Sequence, residues 1–417
     1  MSSTLEAEIH EEHARQASFL WLLRDSATRD TAYDLAELTE LDDRIEAHLD
    51  GLRLAGEGGW EACKALLEEP EGGEVFGAAV VAVDRWDLRG VARVLDAFAG
   101  AFNLARGFVA ALGWTPFDRV KRLLPGLLSG RCSPALHWLG ISACAAHRQD
   151  PGPALGYAIV ANDTRLKARA LRAAGELGRV DLLPEIRVEL QAEDEACRFW
   201  ASWTAALFGD PSAAQSLWGF ASGAGSFAER AACMAMRRMD PSVAYTWLYS
   251  LAGSARDARV PFGAAAALGD PAIVPWLLEA MRAPETARLA GGALTMITGV
   301  DMVTEKLEGP APEGFQAGPT DRPDDEDVSM DPDESLPWPD SAAVEKWWRG
   351  HAGDLKRGTR HLLGKPMTPE WLEHVLKAGS QPARAAAALE LSLRQPRRPV
   401  FEVRAPGFSQ RRALGQT

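Results

Sequence analysis

Apolar and polar positions alternate along this chain on two scales. Within stretches such as "LKARALRAAGELG" (166–178), "ACRFWASWTAALFG" (196–209) and "RVPFGAAAALG" (259–269), apolar residues recur at i, i+3, i+4 and i+7. That spacing predicts amphipathic helices. Each stretch ends on a glycine, Gly178, Gly209 or Gly269, where a helix C-terminus favours a left-handed residue. On the longer scale an aspartate precedes a second, shorter apolar run. These aspartates are Asp87, Asp118, Asp150, Asp181, Asp210, Asp240, Asp270 and Asp301, at gaps of 31, 32, 31, 29, 30, 30 and 31 residues. A period in this range predicts stacked units, each of which buries its apolar face against its neighbours.

Proline follows Asp150, Asp210, Asp240 and Asp270. The carboxylate can accept the free amides of a first helical turn. Proline at the next position loses no hydrogen bond there and has a helical φ already. Each unit therefore reads as helix, Asp-containing turn, helix and loop. Seven residues after the aspartates stand Val94, Tyr157, Val188, Leu217, Trp247 and Leu277, expected on the buried seam of the second helix. Pro125 makes the second unit irregular, and Thr115-Pro116 is an alternative start for its helix.

The flanks differ from the array. Residues 5–23 and 32–55 read as two helices, the second with Leu41, Ile45, Leu49 and Leu52 on one stripe. Residues 308–340 are rich in proline, glycine and acid, which predicts a loop or partly disordered insert. Helices return at 341–352, capped by Ser341, at 368–379, capped by Thr368, and at 381–395. The segment "RRPVFEVRAPGFSQRRAL" reads as an extended basic tail, expected to fold back over the last units so that its arginines meet the insert; the alternative is a solvated insert that loops freely or awaits a basic partner. The expected organisation is an N-terminal helical cap (1–72), a solenoid (73–307), the insert (308–340) and a C-terminal helical cap with its tail (341–417).

The fold class so predicted is all-α, an α-solenoid. Over about residues 75–300 the units resemble the HEAT-repeat superfamily. The segments "AGGALTMITGVDM" (290–302), "DDEDVSMDPDESLPWPD" (324–340), "EKWW" (345–348) and "FEVRAP" (401–406) resemble a proteobacterial HEAT-repeat family often encoded near type VI secretion genes. The resemblance implies an interaction or accessory role, such as cargo loading or immunity. A HEAT-type enzyme or enzyme-maturation factor, resembling a cofactor lyase or a metal-dependent oxygenase, is the alternative.

Composition narrows the partner. The net charge of −13 disfavours nucleic acid and anionic membrane, where basic surfaces supply most of the affinity. The expected partner is another protein, with neither cofactor nor metal. Five cysteines, none in a C-x-x-C pair, predict reduced thiols in a cytoplasmic protein. The start "MSSTLEAEIHEEHARQ" has no secretory pattern, and no apolar run is long enough to span a membrane.

Candidate chemistry is sparse. His10, Glu11 and His13 have the wrong spacing for an H-E-x-x-H zinc helix. Paired His-Glu motifs of the iron-binding HEAT type are represented once, with Glu373-His374 in reverse order. Asp327, Ser329 and Asp331 begin like a calcium loop, but Pro332 and Trp338 occupy positions that require Gly and Glu. Trp200, Trp203, Trp218, Trp247 and Trp276 are expected mainly between helices. The partner surface is assigned to Tyr245, Trp247, Tyr249, Glu279 and Arg282, partly exposed on second helices, and to Asp325, Glu326, Asp327 and Trp338 of the insert.

Overall fold

The computed structural model describes residues 2–97, 104–318 and 330–416. Twenty-three α-helices and one two-stranded ribbon, His361–Leu362 with Lys365–Pro366, occur among the described residues. The fold is an all-α solenoid of antiparallel helix pairs. The chain divides into two compact units, residues 1–204 with 377–417 and residues 205–376.

Successive first helices are tied by side chains reaching one repeat back. The Thr204 hydroxyl donates to the Leu171 carbonyl at 2.8 Å, 33 residues away, and Cys197 Sγ lies 3.2 Å from the Thr164 carbonyl. Close approach depends on small residues. A Cβ added at Gly175 would fall 2.7 Å from Thr204 Oγ1. The predicted C-terminal glycines are left-handed, with φ of 69° at Gly178, 84° at Gly209 and 68° at Gly269.

The periodic aspartates divide into two groups. Asp87, Asp150, Asp210, Asp240, Asp270 and Asp301 each accept a backbone amide two or three residues on. Asp118 and Asp181 instead pair with Lys121 and Arg179. Not every acceptor is the helix N-cap. Asp150 turns the chain onto Gly152, which precedes the helix Pro153–Ile159. Asp240 directly caps Pro241–Ser254, and Asp270 caps a short 3-10 turn leading into Val274–Ala280.

The seam assignment holds for Val94, Leu217 and Leu277, which are buried, and fails for Tyr157 and Val188, which are exposed. In both failing repeats a proline stands three residues after the Asp, Pro153 or Pro184, in the first turn. There the buried positions are Leu155 and Ile159, and Ile186 and Leu190.

At the N-terminus the helices are Ser2–Ala27 and Leu35–Ala55, and the latter buries Leu41, Ile45, Leu49 and Leu52 as expected. Further along, the cap of Ser341–His351 is Asp340 rather than Ser341, because its carboxylate accepts from both Ala342 and Ala343. Thr368 caps Pro369–Ala378 as expected.

The tail differs from its prediction. It runs extended only to Pro406 and ends in the helix Gly407–Ala413. Among the described residues, Arg404 pairs with Glu402 and Arg394 with Glu390. The tail docks within its own unit. Arg24 donates to the Arg404 and Ala405 carbonyls at 2.7 and 2.8 Å while pairing with buried Asp42. Asp42 also accepts the Gly407 amide. Val400 donates to the Glu176 carbonyl, and Arg148 pairs with Glu402 at 3.1 Å. Asp42 and Glu176 are buried and Glu402 is half-buried, and each pairs with arginine inside this unit. They are fixed in place, and the attraction acts in a low-dielectric setting.

Candidate partner-binding surface

Residues 205–376 contain most of the side chains the sequence singled out. Their second helices are Ala213–Ala221, Pro241–Ser254 and Val274–Ala280. One stripe of each faces inward, through Leu217, Ala244, Leu248, Leu251 and Leu277. The i, i+4 and i+7 geometry that buries these residues turns the intervening positions outward. Tyr249 is 52% exposed, and Glu279 and Arg282 are exposed as well.

Trp247 is half-buried because its ring lies against Trp218 of the preceding repeat, with centroids 4.0 Å apart and planes at 46°. Tyr245, one turn before Tyr249, is also half-buried. Its phenol sits beside the Asp270 carboxylate of the following turn. Burial pushes its pKa up, and Asp270 raises it further. The neighbouring Trp276 stacks on Phe262 at 5.0 Å. The aromatic edge is thus built from consecutive repeats. Glu279 and Arg282 form an exposed ion pair at 2.8 Å, which tunes the local charge and adds little stability.

Asp270 is fully buried. Its Oδ1 accepts from Ala272 at 2.9 Å and from Gly358 at 3.1 Å, while Oδ2 has no hydrogen-bond partner. The same turn fixes the ribbon, through the His361 amide donating to the Gly269 carbonyl at 2.7 Å. The repeat aspartate therefore anchors a segment 88 residues further along.

Of the insert residues assigned to a partner, Asp325, Glu326 and Asp327 lie outside the described residues. Trp338 is half-buried and already engaged. It meets Phe315 edge-on at 4.8 Å, and the Arg288 guanidinium lies 4.5 Å from its centroid. Asp331, in the frame that begins like a calcium loop, pairs with buried Arg288 at 2.7 Å. Asp333 pairs with Arg259 at 2.7 Å, and its carbonyl accepts from Arg288. Glu229 faces the same group. Burial raises its pKa, Arg259 opposes this, and Asp257 and Asp333 add to it.

Sequence reasoning missed Arg259 and Arg288. A signal was present, since Arg230, Arg259 and Arg288 recur every 29 residues on first helices, in step with the turn acids.

The other candidates are structural. Trp200 and Trp203 are buried and meet edge-on at 5.7 Å. Glu11 pairs with Arg15, and His13 Nδ1 lies 3.0 Å from His48 Nδ1. His374 stacks on Trp371. Among the described residues no group of three His, Cys, Asp or Glu is arranged to hold a metal, and no helix is long and apolar enough to cross a membrane.

A comparison with curated proteins returns no match. Residues 152–237 match the family model of HEAT repeats; this part of the helix-pair array resembles HEAT repeats in sequence, consistent with the all-α fold.

Proposed function

We propose that this protein is a non-catalytic adaptor that holds another protein on the second-helix edge of its repeats. The observation that carries the reading is the Tyr245–Trp247–Tyr249 edge. Tyr249 is exposed, Trp247 leans on Trp218, and both stand on a helix whose opposite side is packed. Exposed aromatics on a rigid repeat supply contact area with little side-chain ordering, and such residues dominate binding energies at interfaces. Glu279 and Arg282 on the next repeat add charge for orientation. The resemblance of residues 290–302, 324–340, 345–348 and 401–406 makes type VI secretion the setting to examine first, with the partner a cargo or toxin protein. The test is site-specific photocrosslinking. A photoreactive phenylalanine at Tyr249 should yield a discrete adduct with one protein in the native host, lost in Trp247→Ala. Adducts of equal yield from exposed Val160 would refute the assignment.

A further inference from the structure

Residues 330–340, "MDPDESLPWPD", contain three prolines, Pro332, Pro337 and Pro339. Proline lacks an amide donor, so the segment lies on the repeats mainly through side chains. Asp331 meets Arg288, Asp333 meets Arg259, Leu336 lies over Gly292, and Trp338 packs on the Arg288 guanidinium. Among the described residues, its backbone pairs outside the segment at the C-terminal end, where Gly309 donates to the Trp338 carbonyl and Asp340 to the Leu307 carbonyl.

The two arginines stand on successive first helices, Arg259–Leu268 and Pro284–Thr298, 29 residues apart. Stacked helices are about 8–10 Å apart. Asp331 and Asp333 lie in consecutive turns, in which the Glu334 amide donates to the Asp331 carbonyl and the Leu336 amide to the Asp333 carbonyl. The turned Asp-x-Asp segment presents one acid to each arginine. Arginine clusters are a recurring means of recognising acidic motifs; here Arg288 is buried and Arg259 half-buried. The ladder follows from the repeat period, whereas the strap on it is a linear motif.

We propose that Arg259 and Arg288 form a docking ladder for an acidic–aromatic linear segment of a partner protein, and that residues 330–340 occupy it as a displaceable internal mimic. This surface lies on first helices and is separate from the aromatic edge proposed above. The strap then acts as a competitor, and the ladder becomes available to a partner whose segment binds better.

The probe is a fluorescein-labelled peptide of residues 330–340, followed by anisotropy with the full chain. The triple variant Asp331→Asn, Asp333→Asn, Trp338→Ala releases the internal strap. It should bind the peptide at least tenfold more tightly than the wild-type chain. A peptide with both aspartates changed to asparagine should not bind, and added Arg259→Gln should weaken binding tenfold or more. In the wild-type chain, excess peptide should raise hydrogen exchange across 330–340, which tests the idea even where the triple variant fails to fold. Equal binding by wild type and variant, no binding by a folded variant, or binding indifferent to Arg259→Gln overturns the proposal. A dimer formed by exchange of 330–340 between two copies, detected by light scattering, overturns the assignment to a partner protein.

Discussion

Replacing Asp270 with alanine should damage the fold more than the same change at Asp240, although both occupy the same place in the repeat. Asp240 is exposed and accepts the Ser242 amide. Asp270 is buried and accepts both the Ala272 and Gly358 amides. Losing a cap costs about 1 kcal/mol. A hydrogen bond to a charged acceptor contributes about 1.5–3 kcal/mol. Asp270→Ala should therefore cost about 2–4 kcal/mol, somewhat offset because a buried carboxylate with one unpartnered oxygen is removed. Asp270→Asn keeps the accepting oxygen and removes the charge, and should stay within about 1 kcal/mol of wild type by the same reasoning. Urea unfolding followed by circular dichroism ranks the variants. Hydrogen exchange locates the loss, since the 356–361 segment should exchange faster in Asp270→Ala and not in Asp240→Ala. Equal losses at the two positions, or an asparagine as damaging as alanine, would refute the argument that the long-range bond to Gly358 sets the difference.

Three further outcomes follow from the buried groups. Burial alone would raise the Glu402 pKa, but Arg404 and Arg148 more than offset it and hold it near 2, below its ordinary 4.5. A depressed pKa stabilises the fold above pH 4.5, and that stability is lost as pH falls toward 2. Glu402→Gln should remove up to about 3 kcal/mol at pH 7 and flatten the acid limb of a stability–pH curve. Burial pushes the thiols of Cys63 and Cys197 up to about 12 and those of Cys144 and Cys233 to about 11. A disulfide reagent at pH 8, with the labelled cysteines identified by peptide mapping, should therefore label Cys63, Cys144 and Cys197 only on unfolding, and rapid native-state labelling at any of these three would contradict their burial. Gly407 packs so closely on Thr39 that an added Cβ would lie 2.2 Å from its hydroxyl oxygen. Gly407→Ala should release the tail and expose residues 395–413 to protease, and an unchanged digestion pattern would refute the docking.

Local chemistry made the repeat architecture legible. Apolar spacing, Asp turns and left-handed glycines act within a few residues, so the sequence by itself determined the helix pairs, their period of about thirty residues and the ends marked by Gly178, Gly209 and Gly269. The outward positions of Tyr249, Glu279 and Arg282 were also legible, because helical periodicity fixes them once the buried stripe is known. Where a proline three residues after the Asp shifted the first turn, at Pro153 and Pro184, local reading misplaced the seam. The rest depended on partners distant in sequence. Nothing near Asp270 announces Gly358, and nothing near Trp338 announces Arg288. Opposite charge suggested that the basic tail would meet the acidic insert. The contacts that the described tail residues make were not legible there, because ion-pair strength depends on burial and fixed geometry more than on net charge. Arg24, Asp42, Arg148 and Glu402 hold the tail in the unit of residues 1–204 and 377–417, while Arg259 and Arg288 hold the insert's Asp333 and Asp331.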